Sequence, residues 1–136
     1  MDNVVIKSET VPIRSSEDVV SIRQKVRARS VELGLKLIDQ TKIITAASEL
    51  ARNTLVYGGG GSMIIEIVND NRRDGIRLTF EDHGPGIADI QLAMRDGYTT
   101  GGGLGLGLSG SKRLCNDFEI FSKVGEGTRI TVTRWK

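Results

Sequence analysis

The sequence predicts an α+β fold, a two-layer sandwich with helices on one face of a mixed, largely antiparallel sheet. Three observations carry this reading. Between residues 15 and 58 apolar side chains recur at steps of three and four. After residue 61 they alternate, and the alternating segments come in two pairs, each joined by a polar or glycine-containing turn. With 136 residues, 38% of them apolar and 26% charged, the chain has the size of one domain, and residues 1–136 read as a single unit without repeat or linker.

Residues 4–13 are β-prone, but Pro12 has no N–H for a ladder, which places this strand at an edge. Ser15 or Ser16 caps a helix whose stripe is Val19, Ile22, Val26, Ser30 and Leu33, ending at Gly34. A second helix opens at Asp39, runs through Ile43, Ala46, Ala47, Leu50 and Thr54, and stops at the glycines 58–61. Ser62–Asn69 and Ile76–Asp82 form a hairpin across the turn 70–75. A glycine-rich stretch then leads into a helix from Leu108 to Asn116. Strands Phe118–Val124 and Arg129–Arg134, joined at Gly125-Glu126-Gly127, make a second hairpin.

Composition excludes several classes. No apolar run approaches the roughly 20 residues that cross a bilayer, so no membrane association is expected. The first residues carry no secretory leader, and the single cysteine, Cys115, forms neither an internal disulfide nor a metal cluster, so a cytoplasmic setting is expected. A net charge of +2 is too small for a nucleic-acid backbone binder. Of 17 glycines, four lie at 58–61 and seven between Gly97 and Gly110, the density of loops that let a phosphate-type ligand approach the backbone.

Glu49 and Asn53, four apart on the second helix, share a face beside Ala46 and Leu50. Asn53 offers magnesium a neutral oxygen and Glu49 can accept a proton, although the same pair also fits a solvated helix face. Asp82 continues the alternation Ile76, Leu78, Phe80 and so points with the core residues. A carboxylate there needs a donor, and an adenine amino group supplies one; an ordinary Asp-X-Gly turn is the other reading. Gly84 and Gly86 let the backbone turn sharply, and Ile87 can pack on a base.

The run Thr99, Thr100, Gly101, Gly102, Gly103, Leu104, Gly105, Leu106, Gly107, Leu108 enters a helix directly, an arrangement that binds phosphate through backbone amides. Residues 105–110 satisfy G-x-G-x-x-G without the βαβ context that motif requires, and Gly110 is followed by Ser111 before Lys112, so no G-x-x-x-x-G-K loop exists. The single histidine, His83, reads as a loop residue. Lys25 with Arg29 and Arg23 with Arg27 form basic i,i+4 pairs, either a solvated face or a dock for an acidic partner. Cys115 reads as a small buried residue rather than a nucleophile.

In chain order, Glu49-Leu-Ala-Arg-Asn53, Asp82-His-Gly-Pro-Gly86, Gly103-Leu-Gly-Leu-Gly-Leu108 and Gly125-Glu-Gly-Thr128 resemble the four nucleotide-binding boxes of the GHKL superfamily. That superfamily includes histidine kinases, gyrase-type ATPases and Hsp90. The resemblance covers nearly the whole chain and implies the Bergerat fold, with ATP and magnesium between the helices and a mobile lid, which the segment from about Ile87 to Gly102, rich in Asp and Gly with few packing residues, is expected to form. It implies Glu49 as general base, Asn53 as magnesium ligand and Asp82 as acceptor for the adenine amino group. Gly103 to Leu108 become the phosphate cradle, and Thr128 a support for the adenine-site water.

Within the superfamily, the segments 39–53, 96–108 and 110–114 resemble the RsbT-type serine/threonine switch kinases of the bacterial stressosome. This implies phosphorylation of STAS-domain proteins, as substrates and scaffold, followed by release to activate a PP2C-type phosphatase. The alternative is an anti-sigma factor kinase, which binds a sigma factor and phosphorylates its anti-anti-sigma factor. Those kinases often carry a basic residue just before the glycine box, where this chain has Thr99-Thr100-Gly101. The side chain that neutralises the γ-phosphate is thereby left open.

Overall fold

A computed structural model describes residues 3–95 and 107–136. In order the elements are β1 (Val4–Ile13), α1 (Ser16–Leu33), α2 (Leu37–Val56), β2 (Gly61–Asn69), β3 (Asp74–Asp82), α3 (Ile90–Ala93), α4 (Gly107–Arg113), β4 (Asp117–Lys123) and β5 (Gly127–Trp135). The strands form one sheet in the order β1-β2-β3-β5-β4. The sheet expected to be mixed is antiparallel in every described pairing, because β3 and β4, which run in the same direction, are separated by β5, antiparallel to both. β1 lies at the edge, as its proline requires, and a bulge between Val5 and Lys7 interrupts its register.

Period two puts Met63, Ile65, Ile76, Leu78, Phe80, Ile130 and Val132 on one face of the sheet. There they meet the stripes Ile22–Val26 of α1 and Ile43–Ala47–Leu50 of α2, all of them buried. Ser15 caps α1 by accepting the Asp18 N–H, and Gly34 ends it in the left-handed region at φ 86°. α2 begins at Leu37, two residues before the expected Asp39, and no side chain caps it. Asp39 serves its first turn instead, accepting a hydrogen bond from Arg134 Nη2 at 2.6 Å. Among the described residues no helix is long and apolar enough to cross a membrane.

The basic pairs of α1 divide. Arg23 and Arg27 are exposed, whereas Lys25 and Arg29 reach Glu9 on β1 at 2.8 and 3.2 Å, so half of the expected open basic face ties the helix to the edge strand. The Lys25 hydrogen bond, opposed by partial burial and helped by Arg29, holds the Glu9 carboxyl below the usual glutamate range. A carboxyl depressed on folding stabilises above its unfolded value of about 4.3, and that contribution is lost as the pH falls through the folded value. Glu9→Gln is therefore expected to cost about 0.5–1 kcal/mol at pH 7 and progressively less as the pH is lowered below about 4.3, read by urea denaturation of both proteins at pH 7 and at a series of acidic pH values.

The helix expected to run to Asn116 stops at Arg113. Leu114 and Cys115 follow in tighter turns, and Asn116 leaves to donate its N–H to Thr133 and accept that of Trp135. Cys115 packs against the core in that turn, and burial pushes its thiol up to about 12, with Arg134 opposing and Asp117 adding to the rise. Iodoacetamide at pH 8 is expected to alkylate the folded protein on the order of 10²–10³-fold more slowly than the protein in denaturant, since only the thiolate reacts.

Candidate active site

The site forms where the sheet changes from apolar to polar. On the helix-side face of β3, Phe80 is paired with Met63 and Ile130, and one step further Asp82 is paired with Gly61 and Thr128. β4 continues both rows, with Ile120 opposite Ile130 and Ser122 opposite Thr128. A buried apolar row thus borders the polar row Asp82–Thr128–Ser122. The C-terminal half of α2 passes over this boundary, and the space between is a cavity of about 430 Å³.

Glu49, 4% exposed, and Asn53 line the cavity from α2, one turn apart on the same side. Asp82 and Thr128 line it from the sheet, with Gly86 and Ile87 at one margin and Gly107 and Leu108 of α4 at another. The structure therefore brings together eight of the residues singled out by sequence. Gly84 is not among the lining residues; it stands behind Asp82, whose Oδ1 accepts the Gly84 N–H at 2.9 Å. Thr99, Thr100, Gly101, Gly102, Gly103, Leu104, Gly105 and Leu106 lie outside the described residues, as does the expected lid beyond Arg95.

Among the glycines required by close approach, two shape the cavity directly. At Gly58, just past α2, a Cβ would come within 2.5 Å of Asp82 Oδ2, so any side chain there displaces the carboxylate. Gly86 has φ 76°, and its Cβ would meet the Lys123 carbonyl at 2.3 Å. The loop 83–87 is further pinned by the Gly125 N–H to the Pro85 carbonyl at 2.8 Å and by the Ile87 N–H to Ser122 Oγ at 2.7 Å. His83 points away, its side chain 85% exposed and 3.9 Å from Glu81, as a loop residue should.

Several lining residues were missed by sequence reading. Tyr57 was not singled out, and Gly58 had registered only within the glycine cluster 58–61 that ends the helix. Leu92 and Ala93 belong to α3, a single turn inside a segment read as a lid with few packing residues. Asp89 caps that turn by accepting the Leu92 N–H at 3.0 Å, a local signal present in the sequence as Asp-x-x-Leu. Ser122, which stands behind the lining residues Ile87 and Thr128, was also findable, because alternation from Phe118 and Ile120 sets it on the same face of β4.

Residues 38–136 match the histidine kinase-, DNA gyrase B-, and HSP90-like ATPase family. The chain belongs to that family. The chain is 47% identical over 125 residues to the serine/threonine-protein kinase RsbT of Bacillus subtilis (strain 168), covering 92% of this chain and 94% of that one. It is 29% identical to the anti-sigma F factor of Anoxybacillus flavithermus, over 82% and 80% of the two chains. Among solved structures, the RsbU and RsbW domains of a Mycobacterium tuberculosis protein align with TM-score 0.64 at 18% identity. That alignment takes in 99% of this chain, which spans 33% of the longer one. The mycobacterial sensor histidine kinase MprB aligns with TM-score 0.55 at 18% identity, over 95% and 97% of the chains. At these identities the two structures establish the shared fold.

Proposed function

We propose that this chain is an ATP- and magnesium-dependent serine/threonine protein kinase of a bacterial stress-signalling partner switch. Residues 1–136 act as one ATP-binding kinase domain in the cytoplasm. The observation that carries the reading is the cavity itself, in which a carboxylate and an amide from one face of α2 oppose an aspartate and a threonine from the polar row of the sheet. The likeness to the Bacillus subtilis kinase over nearly the full length of both chains supports the reaction class. Val11 and Ile22, outside the family match, are buried in the same core as the matched region, which supports a single unit.

In this reading the adenine amino group donates to Asp82 and the base packs on Ile87, while the phosphates run toward the glycine stretch that enters α4 at Gly107. Among the described residues no three His, Cys, Asp or Glu side chains converge as a metal cage. A lone amide oxygen at Asn53 fits magnesium, which keeps waters and takes its remaining ligands from nucleotide phosphates. When bound, magnesium supplies neutralising charge to those phosphates. Glu49 accepts the proton from the serine or threonine hydroxyl as that oxygen bonds to the γ-phosphorus and the bond to the ADP oxygen breaks. Its depth at the cavity wall excludes bulk water from this step.

The substrates proposed are STAS-domain proteins, and the partner contacted after release is a PP2C-type phosphatase. The test is incubation with labelled ATP, magnesium and candidate STAS proteins, with phosphoserine or phosphothreonine as the expected product; absence of transfer to every STAS protein of the host overturns the reading. The relatives named anti-sigma F factor favour a second reading, an anti-sigma factor kinase. Stable nucleotide-dependent binding of a sigma factor in the same assay would establish it.

A further inference from the structure

Ser122 has no part in the chemistry above and does not itself line the cavity, yet it bonds two residues that do, Ile87 and Thr128. Its Oγ accepts the Ile87 N–H at 2.7 Å, donates to the Gly127 carbonyl at 3.1 Å, and lies 2.8 Å from Thr128 Oγ1. A hydroxyl has one hydrogen and two acceptor lone pairs. With the Ser122 hydrogen on Gly127 and one lone pair on Ile87, the remaining lone pair takes the hydrogen of Thr128. Thr128 thus donates toward β4, away from the cavity it lines, and keeps its lone pairs for an occupant. Beside it in the same cross-strand row stands Asp82, whose carboxylate offers acceptor oxygens to the same edge.

We propose that Ser122 is a positioning residue that orients the Thr128 hydroxyl, so that the Asp82–Thr128 end of the cavity is an acceptor-only edge selecting a purine with a donor at C6. This rests on the adenine-nucleotide reading above and identifies what sets base choice there. The same hydroxyl anchors Ile87, so one side chain couples the loop beside the base to the group that reads it.

The test compares ATP with purine riboside triphosphate, which carries hydrogen in place of the 6-amino group, by titration calorimetry with magnesium. The wild type is expected to prefer ATP. In Ser122→Ala the Thr128 hydroxyl is free to turn its hydrogen into the cavity, and the preference is expected to shrink about three- to tenfold. Ser122→Thr, which keeps the hydroxyl, is expected to retain it. Thr128→Val should reduce the preference by itself, and adding Ser122→Ala to it should change nothing further. If Ser122→Ala weakens both nucleotides by one factor, Ser122 only holds the loop and the proposal falls. It falls equally if Ser122→Thr behaves as alanine does, or if Ser122→Ala shrinks the preference further in the Thr128→Val background. A wild type with no preference for ATP overturns the adenine reading and this inference together; a wild-type preference unchanged in Ser122→Ala overturns this inference alone.

Discussion

Glu49→Gln is expected to fold, to bind ATP with near wild-type affinity, and to lose on the order of 10²–10⁴-fold in phosphoryl transfer, the usual contribution of a general base. Glutamine keeps the shape of the side chain, and the neighbouring Ala46 and Leu50 are buried in the core, so α2 keeps its place. What disappears is the capacity to take the proton of the substrate hydroxyl. Single-turnover transfer from labelled ATP, with chemistry shown to be rate-limiting, reads this directly. Asn53→Ala should behave differently, weakening magnesium-dependent nucleotide binding as well as rate, because it removes an oxygen ligand and leaves the carboxylate one turn away untouched. Transfer at the wild-type rate in Glu49→Gln would assign the proton to another carboxylate or to the substrate phosphate itself.

At Asp82 the expected effect falls on binding. Asp82→Ala should cost roughly 1–3 kcal/mol of ATP affinity, since the adenine amino donor is left unpaired in a partly desolvated site. The same change also removes the acceptor of the Gly84 N–H, so some of the loss reflects a loosened loop. Asp82→Asn separates the two. Its amide oxygen can still accept from Gly84, while its NH₂ takes the place of Oδ2, the oxygen packed against Gly58, and presents a donor to a donor. The melting temperature of Asp82→Asn should stay near wild type while ATP affinity falls by a similar 1–3 kcal/mol. Unchanged affinity in this folded variant would remove Asp82 from the base site.

Much of the site was legible because its signals are local. A 3.6-residue period is enough to place Glu49 and Asn53 on one face of α2 at the core boundary, whatever that helix packs against. A period of two is enough to turn Asp82 inward with Phe80. The order of the glycine-containing boxes, matched to a known superfamily, linked these positions before any contact was known. The same local logic explains the slips: Asp39 looked like a helix start because acidic residues favour a first turn, and it does occupy that turn, with Arg134 as its partner rather than the role of a cap.

What the tertiary structure alone decided is which local faces meet. Nothing within β4 or β5 specifies that Ser122, Thr128 and Asp82 stand in one row; that follows from the order β3-β5-β4 and from registers closed across 46 residues between Asp82 and Thr128. Lys25 and Arg29 looked like half of a solvated basic face until β1 brought Glu9 beneath them. Gly58 looked like a helix stop until β3 set the Asp82 carboxylate where a side chain would have stood. Periodicity is a property of the chain's own geometry and can be read one segment at a time, whereas register and close approach are set by the mutual burial of segments distant in sequence, and exist only once the sheet and its helices have closed on one another.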